Sequence, residues 1–463
     1  MNPPSDLRGR RGVVMGLGLF GGGAAAARYL LRRGARVLVT DLRSPGELRE
    51  SIASLEGWDV EYRVGGHRIE DFRGADLVVA NPAVPLDSPY LAAARESAGI
   101  VTTECELAAW ERPRSVVAVT GTNGKSTTTS LLGAILRTAG LAVWVGGNLG
   151  RSLLDDLEEV GPEHRIVLEV SSYQLESLAA PPGWPRTAVV TNLTPDHLDR
   201  HGSFEAYAEA KARVLLQQGP GDALVLPASD PILSGWAGRA RGRVLSFGPR
   251  AGEPGVAVEG ERLLWRAGGR ECLLLPAGAV PLPGRFNLLN AAAAAAAALD
   301  LGVEPPAVAE GIRGFRGLDH RLQFLGVRRG IRIYDNAVST VPESTISALR
   351  SVEPPLLLIA GGRSKNLPLG ELAREAASRA RAIFLYGAAA EELAREIVAA
   401  GGAPPRLAGT LEEALGHAFA QASAGDALLY SPAFASFDQY RNFAERAAEF
   451  RRLVGLDADP ARA

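Results

Sequence analysis

Apolar residues recur along this chain in two rhythms, and their alternation predicts its elements. Short, nearly unbroken apolar runs read as strands buried on both faces. They fall at Gly12-Val-Val-Met-Gly16, Arg36-Val-Leu-Val-Thr40, Asp76-Leu-Val-Val-Ala80, Ser115-Val-Val-Ala-Val119, Arg165 to Glu169 and Thr187 to Thr191. Between them, Ala24 to Arg33, Ser126 to Ala139 and Phe204 to Gln217 read as helices. Strands alternating with helices predict mostly parallel sheets with helical crossovers. From about Val244 to Leu275 the rhythm breaks into short β runs punctuated by Gly and Pro, which predicts a small β subsheet. A helix from Asn287 to Leu299 closes that unit, with Pro305 to Arg313 leading out. The strand–helix rhythm restarts at Ile331-Arg-Ile-Tyr334, with strands at Leu356 to Ala360, Ala382 to Tyr386 and Ala427 to Ser431.

Three such units predict three α/β domains, at 1–111, 112–313 and 314–463, and 463 residues give each a sizeable core. The first and last read as Rossmann-like. Clefts between domains are where small ligands tend to bind.

Composition narrows the picture. A formal charge of −2 argues against a nucleic-acid surface or a polybasic membrane patch. Cys105 and Cys272 are too few and too isolated for a disulfide framework, as in a reducing compartment. The start, Met-Asn-Pro-Pro-Ser-Asp, lacks a basic-then-apolar signal pattern. The longest apolar run, Ala291 to Leu299, falls far short of the roughly 20 residues that span a bilayer. A cytoplasmic protein, a monomer without membrane insertion, is the expectation. Of 50 cationic side chains, only Lys125, Lys211 and Lys365 are lysines; the rest are arginines. Lysine surviving in such a chain marks places where a guanidinium cannot serve, because an amine can lose its proton and react.

Gly121-Thr-Asn-Gly124-Lys125-Ser126 lies between a buried strand and a helix, the setting a phosphate loop needs. There, backbone amides at a helix N-terminus face the anion, a lysine reaches the outer phosphates and a hydroxyl meets magnesium. The general pattern asks for Gly where Val119 stands, so this is a variant, and the central unit reads as a P-loop ATPase domain. Gly16-x-Gly18-x-x-Gly21 with Asp41 after the next strand fits a dinucleotide, a nucleotide-sugar diphosphate or a structural turn equally well. Glu169 ends a strand beside the phosphate loop, where a carboxylate can hold magnesium. Asp196-His197-Leu-Asp-Arg-His201 gathers two of six histidines, and metal binding, proton transfer and hydrogen-bonded packing all stay open. Zinc is disfavoured by the oxygen-rich surroundings. Lys211, between two alanines, is by spacing alone an exposed helix lysine.

Taken together these segments resemble the Mur ligase family. Also matching are Gly146-Gly-Asn148-Leu-Gly150, Leu168 to Leu175, Asn192 to Arg200, Pro283 to Asn290, Leu318-Asp-His-Arg321 and Ser431 to Phe443, so the resemblance runs nearly end to end. It is strongest to members that add glutamate. It implies a UDP-substrate domain, a central ATPase domain and a C-terminal glutamate domain. It implies an acid–amino-acid ligase that uses ATP to join glutamate, most often D-glutamate, to UDP-N-acetylmuramoyl-L-alanine through an acyl phosphate, in peptidoglycan synthesis. Two magnesium ions and a carbamylated Lys211 belong to that reading.

By the same resemblance Lys125, Glu169, His197 and Lys211 are catalytic. Ser126 (then Thr127) and Glu169 hold one metal, and His197 with Lys211 the other. Gly121, Thr122, Asn123, Gly124, Lys125, Ser126, Thr127, Asn287, Asn290, Arg321 and Asp335 meet ATP. Leu19, Phe20, Asp41 and Arg43 meet uridine diphosphate and Asn148 the muramoyl part, while Ser339, Lys365, Ser436 and Phe443 form the glutamate pocket. Two departures stand out. Asn336-Ala-Val-Ser339 replaces the Ser-Lys-Ala-Thr of D-glutamate members, which opens the question of L-glutamate, and Ala83 replaces a glycine in Asn81-Pro-Ala-Val-Pro85. A folylpolyglutamate synthetase-like amide ligase, an NAD-dependent oxidoreductase built on residues 12–45 and a non-catalytic nucleotide-binding scaffold are the competing readings.

Overall fold

The protein is described from a computed structural model covering residues 6–455, apart from 20, 98, 283, 365 and 366 and the side chains of 199 and 343. Phe20 and Lys365, both expected at substrate sites, lie outside the described residues. The chain divides into two compact units, 1–280 with 288–315, and 281–287 with 316–463. Among the described residues no helix is long and apolar enough to cross a membrane.

The first unit contains two sheets. Strands β1 (Arg11–Met15), β2 (Arg36–Asp41), β3 (Val60–Val64), β4 (Leu77–Ala80) and β5 (Ile100–Thr102) form a parallel sheet in the order β3-β2-β1-β4-β5. Val13, Val39, Leu77 and Val78 are buried, as runs covered on both faces require. The order reverses between β1 and β4, and a crevice at such a reversal is where open α/β sheets bind ligands. The Gly16–Gly21 turn leaves β1 there.

The second sheet has nine strands: β6 (Val116–Thr120), β7 (Val143–Gly147), β8 (Arg165–Glu169), β9 (Thr187–Val190), β10 (Ala223–Pro227), β11 (Arg243–Gly248), β12 (Gly255–Glu259), β13 (Arg262–Ala267) and β14 (Arg270–Pro276). Their order is β14-β13-β12-β11-β10-β9-β6-β8-β7. The Gly- and Pro-punctuated runs, β11 to β14, are continuous with the rest because β11 pairs parallel with β10 and β12, and only the β12–β13 and β13–β14 pairs are antiparallel. Helix Lys125–Thr138 leaves β6 and is held by helix Pro305–Gly314. A Cβ on Gly311 would stand 2.6 Å from the Cα of Ile135, so the two backbones touch only because residue 311 has no side chain. Ala291 to Ala298 of helix Arg285–Asp300 are fully buried, small side chains that keep high helix propensity while allowing close approach. The helix begun at Phe204 ends at Ala212, and a 3₁₀ turn, Arg213–Leu215, completes the stretch expected to be helical to Gln217.

The two sheets of this unit are tied together. Arg28, on helix Gly22–Arg32, makes a bidentate pair with Asp155 at 2.7 Å for both bonds. Tyr29 donates to Glu111 at 2.7 Å.

The second unit carries β15 (Gln323–Arg328), β16 (Ile331–Asp335), β17 (Leu356–Gly361), β18 (Ala380–Tyr386), β19 (Arg406–Ala408) and β20 (Ala427–Ala433), ordered β15-β16-β20-β17-β18-β19. All pairs are parallel except that of β15 with β16.

Candidate active site

The phosphate loop is shaped by two glycines. Gly121 has φ +141°, and a Cβ there would fall 2.0 Å from Thr191 Oγ1. Gly124 has φ +78°, and a Cβ there would fall 2.2 Å from Asn290 Oδ1. Both conformations are open to glycine and strained for other residues. Thr191 Oγ1 donates to the Asn123 carbonyl at 2.6 Å, and Asn192 clasps Asn123 at 2.9 Å through both its amide and its carbonyl. Thr122 Oγ1 and Thr194 exchange bonds of 3.0 Å. The loop is thus pre-set at the head of helix Lys125–Thr138, whose first amides have no partner within the helix. Such an end attracts anions.

Lys125 folds back over its own loop, donating to the carbonyls of Gly121 at 3.0 Å and Thr122 at 2.7 Å. Lys211 reaches the same carbonyl of Gly121, at 2.8 Å, from helix Phe204–Ala212. Far from being an exposed helix lysine, it is 1% exposed. Its Nζ lies 4.7 Å from the centre of the Tyr207 ring, one turn earlier on the same face. Burial first, and the Lys125 charge second, pull its pKa down to about 7, against the opposing pull of Asp196 and Glu169. Lys125, Lys211, Asp196 and Glu169 therefore share one electrostatic neighbourhood, in which the Lys211 amine loses its proton far more readily than a lysine in water.

Glu169 ends β8 and is 2% exposed. Its Oε1 accepts from Asn148 Nδ2 at 2.9 Å, whereas its buried Oε2 has no hydrogen-bond partner. An orphaned, buried carboxylate oxygen is the donor chemistry of a hard divalent cation, and Ser126, also buried, offers a second oxygen from the phosphate loop, so the residues fit magnesium. No group of three or more His, Cys, Asp or Glu side chains gathers around one point among the described residues. Any ion here would complete its shell with other oxygens.

The histidine-rich segment splits in two. His201 is packed: its Nε2 lies 3.1 Å from Ser172 Oγ, its Nδ1 3.4 Å from Glu176, and burial lowers its pKa. His197 adopts φ +50°, is half exposed, and has the Tyr173 ring against it at 5.1 Å. Between them Arg200 pairs with Glu176 at 2.9 Å and donates to the carbonyls of Pro82, Ala83 and Val84. Ala83 keeps a negative φ, so the missing glycine costs no strain.

On the first sheet, Asp41 is buried and both its oxygens accept backbone amides, from Gly18 at 3.0 Å and Arg43 at 2.9 Å. It shapes the glycine turn, leaving Leu19 exposed at its tip and the Arg43 side chain half exposed.

In the second unit, Asp335 is fully buried and accepts from Arg451 at 3.1 Å and the Ala337 amide at 2.9 Å, with His320 at 2.7 Å. Asn336, at the departure from the family pattern, points inward, donating to Ser431 Oγ at 2.9 Å. The Ser339 hydroxyl lies 2.7 Å from Thr345 Oγ1, Ser436 is buried, and Phe443 is exposed at the start of helix Phe443–Val454. Asn290 contacts Thr128 at 3.4 Å, and Asn287 is also buried. Reading the sequence missed Tyr207, Thr191 and Asn192. Tyr207 alone carried a signal, its place four residues before Lys211.

Three family profiles match in order: a Mur ligase MurD-like N-terminal domain at residues 10–103, a Mur ligase middle domain at 119–298, and a Mur ligase glutamate ligase domain at 320–434. A UDP-N-acetylmuramoylalanine–D-glutamate ligase of Roseiflexus sp. (strain RS-1) is 40% identical over 97% of this chain and 99% of its own. One of Symbiobacterium thermophilum is 38% identical over 96% of this chain and 97% of its own. The crystal structure of a UDP-N-acetylmuramate-alanine ligase from Thermotoga maritima shares the fold at 19% identity, with a TM-score of 0.62 over 96% of this chain and 98% of that one. With curated relatives matched along almost its whole length, the chain belongs to the Mur ligase family.

Proposed function

We propose that this protein uses ATP to join D-glutamate to UDP-N-acetylmuramoyl-L-alanine, a step in building the peptidoglycan precursor. The observation that carries the reading is 38% and 40% identity to ligases named for that reaction, over 96% and 97% of the chain. In this reading the UDP-substrate domain is 1–111, the ATP-binding domain 112–313 and the glutamate domain 314–463.

A carboxylate resists an amine because it is anionic and has no leaving group. Transfer of the γ-phosphoryl of ATP to the alanine carboxylate supplies one. The glutamate amine then attacks the carbonyl carbon, a C–N bond forms and the amine proton passes to solvent. Collapse of the tetrahedral adduct breaks the C–O bond and releases phosphate. Lys125 leaves the loop carbonyls for the outer phosphates, and the loop amides from Gly121 to Thr127 hold the rest. Magnesium, when bound, neutralises charge that develops on the phosphoryl oxygens. Ser126, or Thr127, and Glu169 would hold one ion. His197 and a carbamylated Lys211 would hold a second. The uncharged fraction of the Lys211 amine, enlarged by its lowered pKa, adds carbon dioxide, forms an N–C bond and loses a proton, leaving an anionic oxygen ligand. Leu19, Asp41 and Arg43 serve uridine diphosphate, Asn148 the muramoyl part, and Ser339, Ser436 and Phe443 the glutamate. Asn290 joins the nucleotide site, and Asn287, Arg321 and Asp335 follow on the resemblance alone.

Phosphate release from ATP, UDP-N-acetylmuramoyl-L-alanine and either glutamate enantiomer tests the reading. It expects release with D-glutamate. Release with L-glutamate alone, or with neither, overturns it.

A further inference from the structure

One fully buried cation is unexplained by the scheme above. Arg446, on helix Phe443–Val454, is 0% exposed. Its Nη1 donates to the carbonyls of Phe434 at 3.0 Å and Gly361 at 3.4 Å, and its Nη2 to that of Ala337 at 3.3 Å. Its Nε has no acceptor, the Tyr386 hydroxyl lies within reach of the guanidinium, and no carboxylate among the described residues forms an ion pair with it. Burying an unpaired guanidinium is unfavourable, and a core built for stability alone would fill that space with an apolar side chain.

The three carbonyls have one thing in common. They stand at or just past the carboxyl ends of β16, β20 and β17, three consecutive neighbours in the sheet. The crevice outside such strand ends is the ligand-binding edge of an open α/β sheet. Ser339 follows Ala337 by two residues, and Ser436 follows Phe434 by two. Packing from the other side keeps the fork in place. A Cβ on Gly362, at φ +134°, would stand 3.0 Å from Arg446 Nη1 and 2.3 Å from the Ala435 carbonyl.

We infer that Arg446 is a positioning residue of the amino-acid pocket. Its planar fork holds the turns that carry Ser339 and Ser436 in fixed register, and its charge, held by neutral carbonyls with no direct carboxylate partner among the described residues, favours a ligand with two carboxylates. The inference rests on the glutamate reading of the second unit.

Steady-state kinetics on the full chain test it. Arg446→Lys keeps the charge but cannot span three carbonyls, and Arg446→Met removes both. The KM for D-glutamate should rise about tenfold or more in Arg446→Met and less in Arg446→Lys, while those for ATP and UDP-N-acetylmuramoyl-L-alanine move less than about twofold. An unchanged glutamate KM overturns the inference. So does a uniform rise in all three KM values that follows a fall in Tm, because a simple strut would give that. Should neither variant fold, Arg446→Gln, a neutral polar side chain that can still bond a carbonyl, is read by the same split. Wild-type protein that releases no phosphate with D-glutamate overturns the functional reading instead, and the Arg446 split is then measured with whichever amino acid it accepts.

Discussion

Lys211 shows how much chemistry one side chain gains from its surroundings. Beneath the phosphate loop, against the Tyr207 ring and beside Lys125, its amine is easier to deprotonate than one in water. A guanidinium in the same place would stay charged and inert to carbon dioxide. Lys211→Arg should therefore lower the ligation rate by roughly 10³-fold or more. Lys211→Ala should be equally impaired yet regain part of its activity with millimolar formate or acetate, read as phosphate release. An active Lys211→Arg protein would sink the carbamate. The scarcity of lysine marked this position in the sequence. Its burial was not legible, because neighbours Ala210 and Ala212 say nothing about what packs on the helix. Thr191 and Asn192 were illegible for a similar reason: they grip the loop across sheet neighbours far apart in the chain.

At the scale of elements, helix Glu104–Glu111 contains a built-in pH response. Glu106, whose amide is capped by Thr103 Oγ1 at 3.2 Å, is 6% exposed, and burial pushes its carboxyl up to about 7. Between about pH 4.5 and 7 the folded chain keeps a proton there that the unfolded chain has released, so stability falls as pH rises through that window. The full penalty, above the window, is on the order of 3 kcal/mol. Glu106→Gln should remove that decline, raising Tm at pH 8 and leaving it unchanged near pH 4. Glu104 is raised by burial too, so the comparison with wild type isolates residue 106. Identical pH profiles for variant and wild type would contradict the assignment. Strand positions were legible in most runs buried on both faces, as in β1, β6, β8 and β17, although the fully buried β10 was missed. Edge strand β3, with its central residues exposed, has no such run, and β7 mixes Trp144 with two glycines. The register joining β11 to β10 depends on pairing that no local pattern encodes.

In the molecule as a whole, the division into three α/β domains was readable because each restarts the same rhythm. What fastens the first sheet to the second was not, since Arg28 and Asp155 are unremarkable charges in sequence. Their bidentate pair is mostly buried, at 17% and 29% side-chain exposure. Arg28→Ala and Asp155→Ala should each cost roughly 1–3 kcal/mol, seen as a lower Tm, and the double variant little more than either alone. Additive losses would mean that the pair does not act as a unit.

The two glycines of the phosphate loop have a consequence for how the protein is made. Thr191 and Asn290, which press on them, are synthesised long after the Thr120–Thr127 stretch. A nascent chain halted at residue 150 already spells out the whole motif but has nothing to brace it. The braced form of the loop is therefore complete only once the Ala-rich helix that carries Asn290 has been made and has docked.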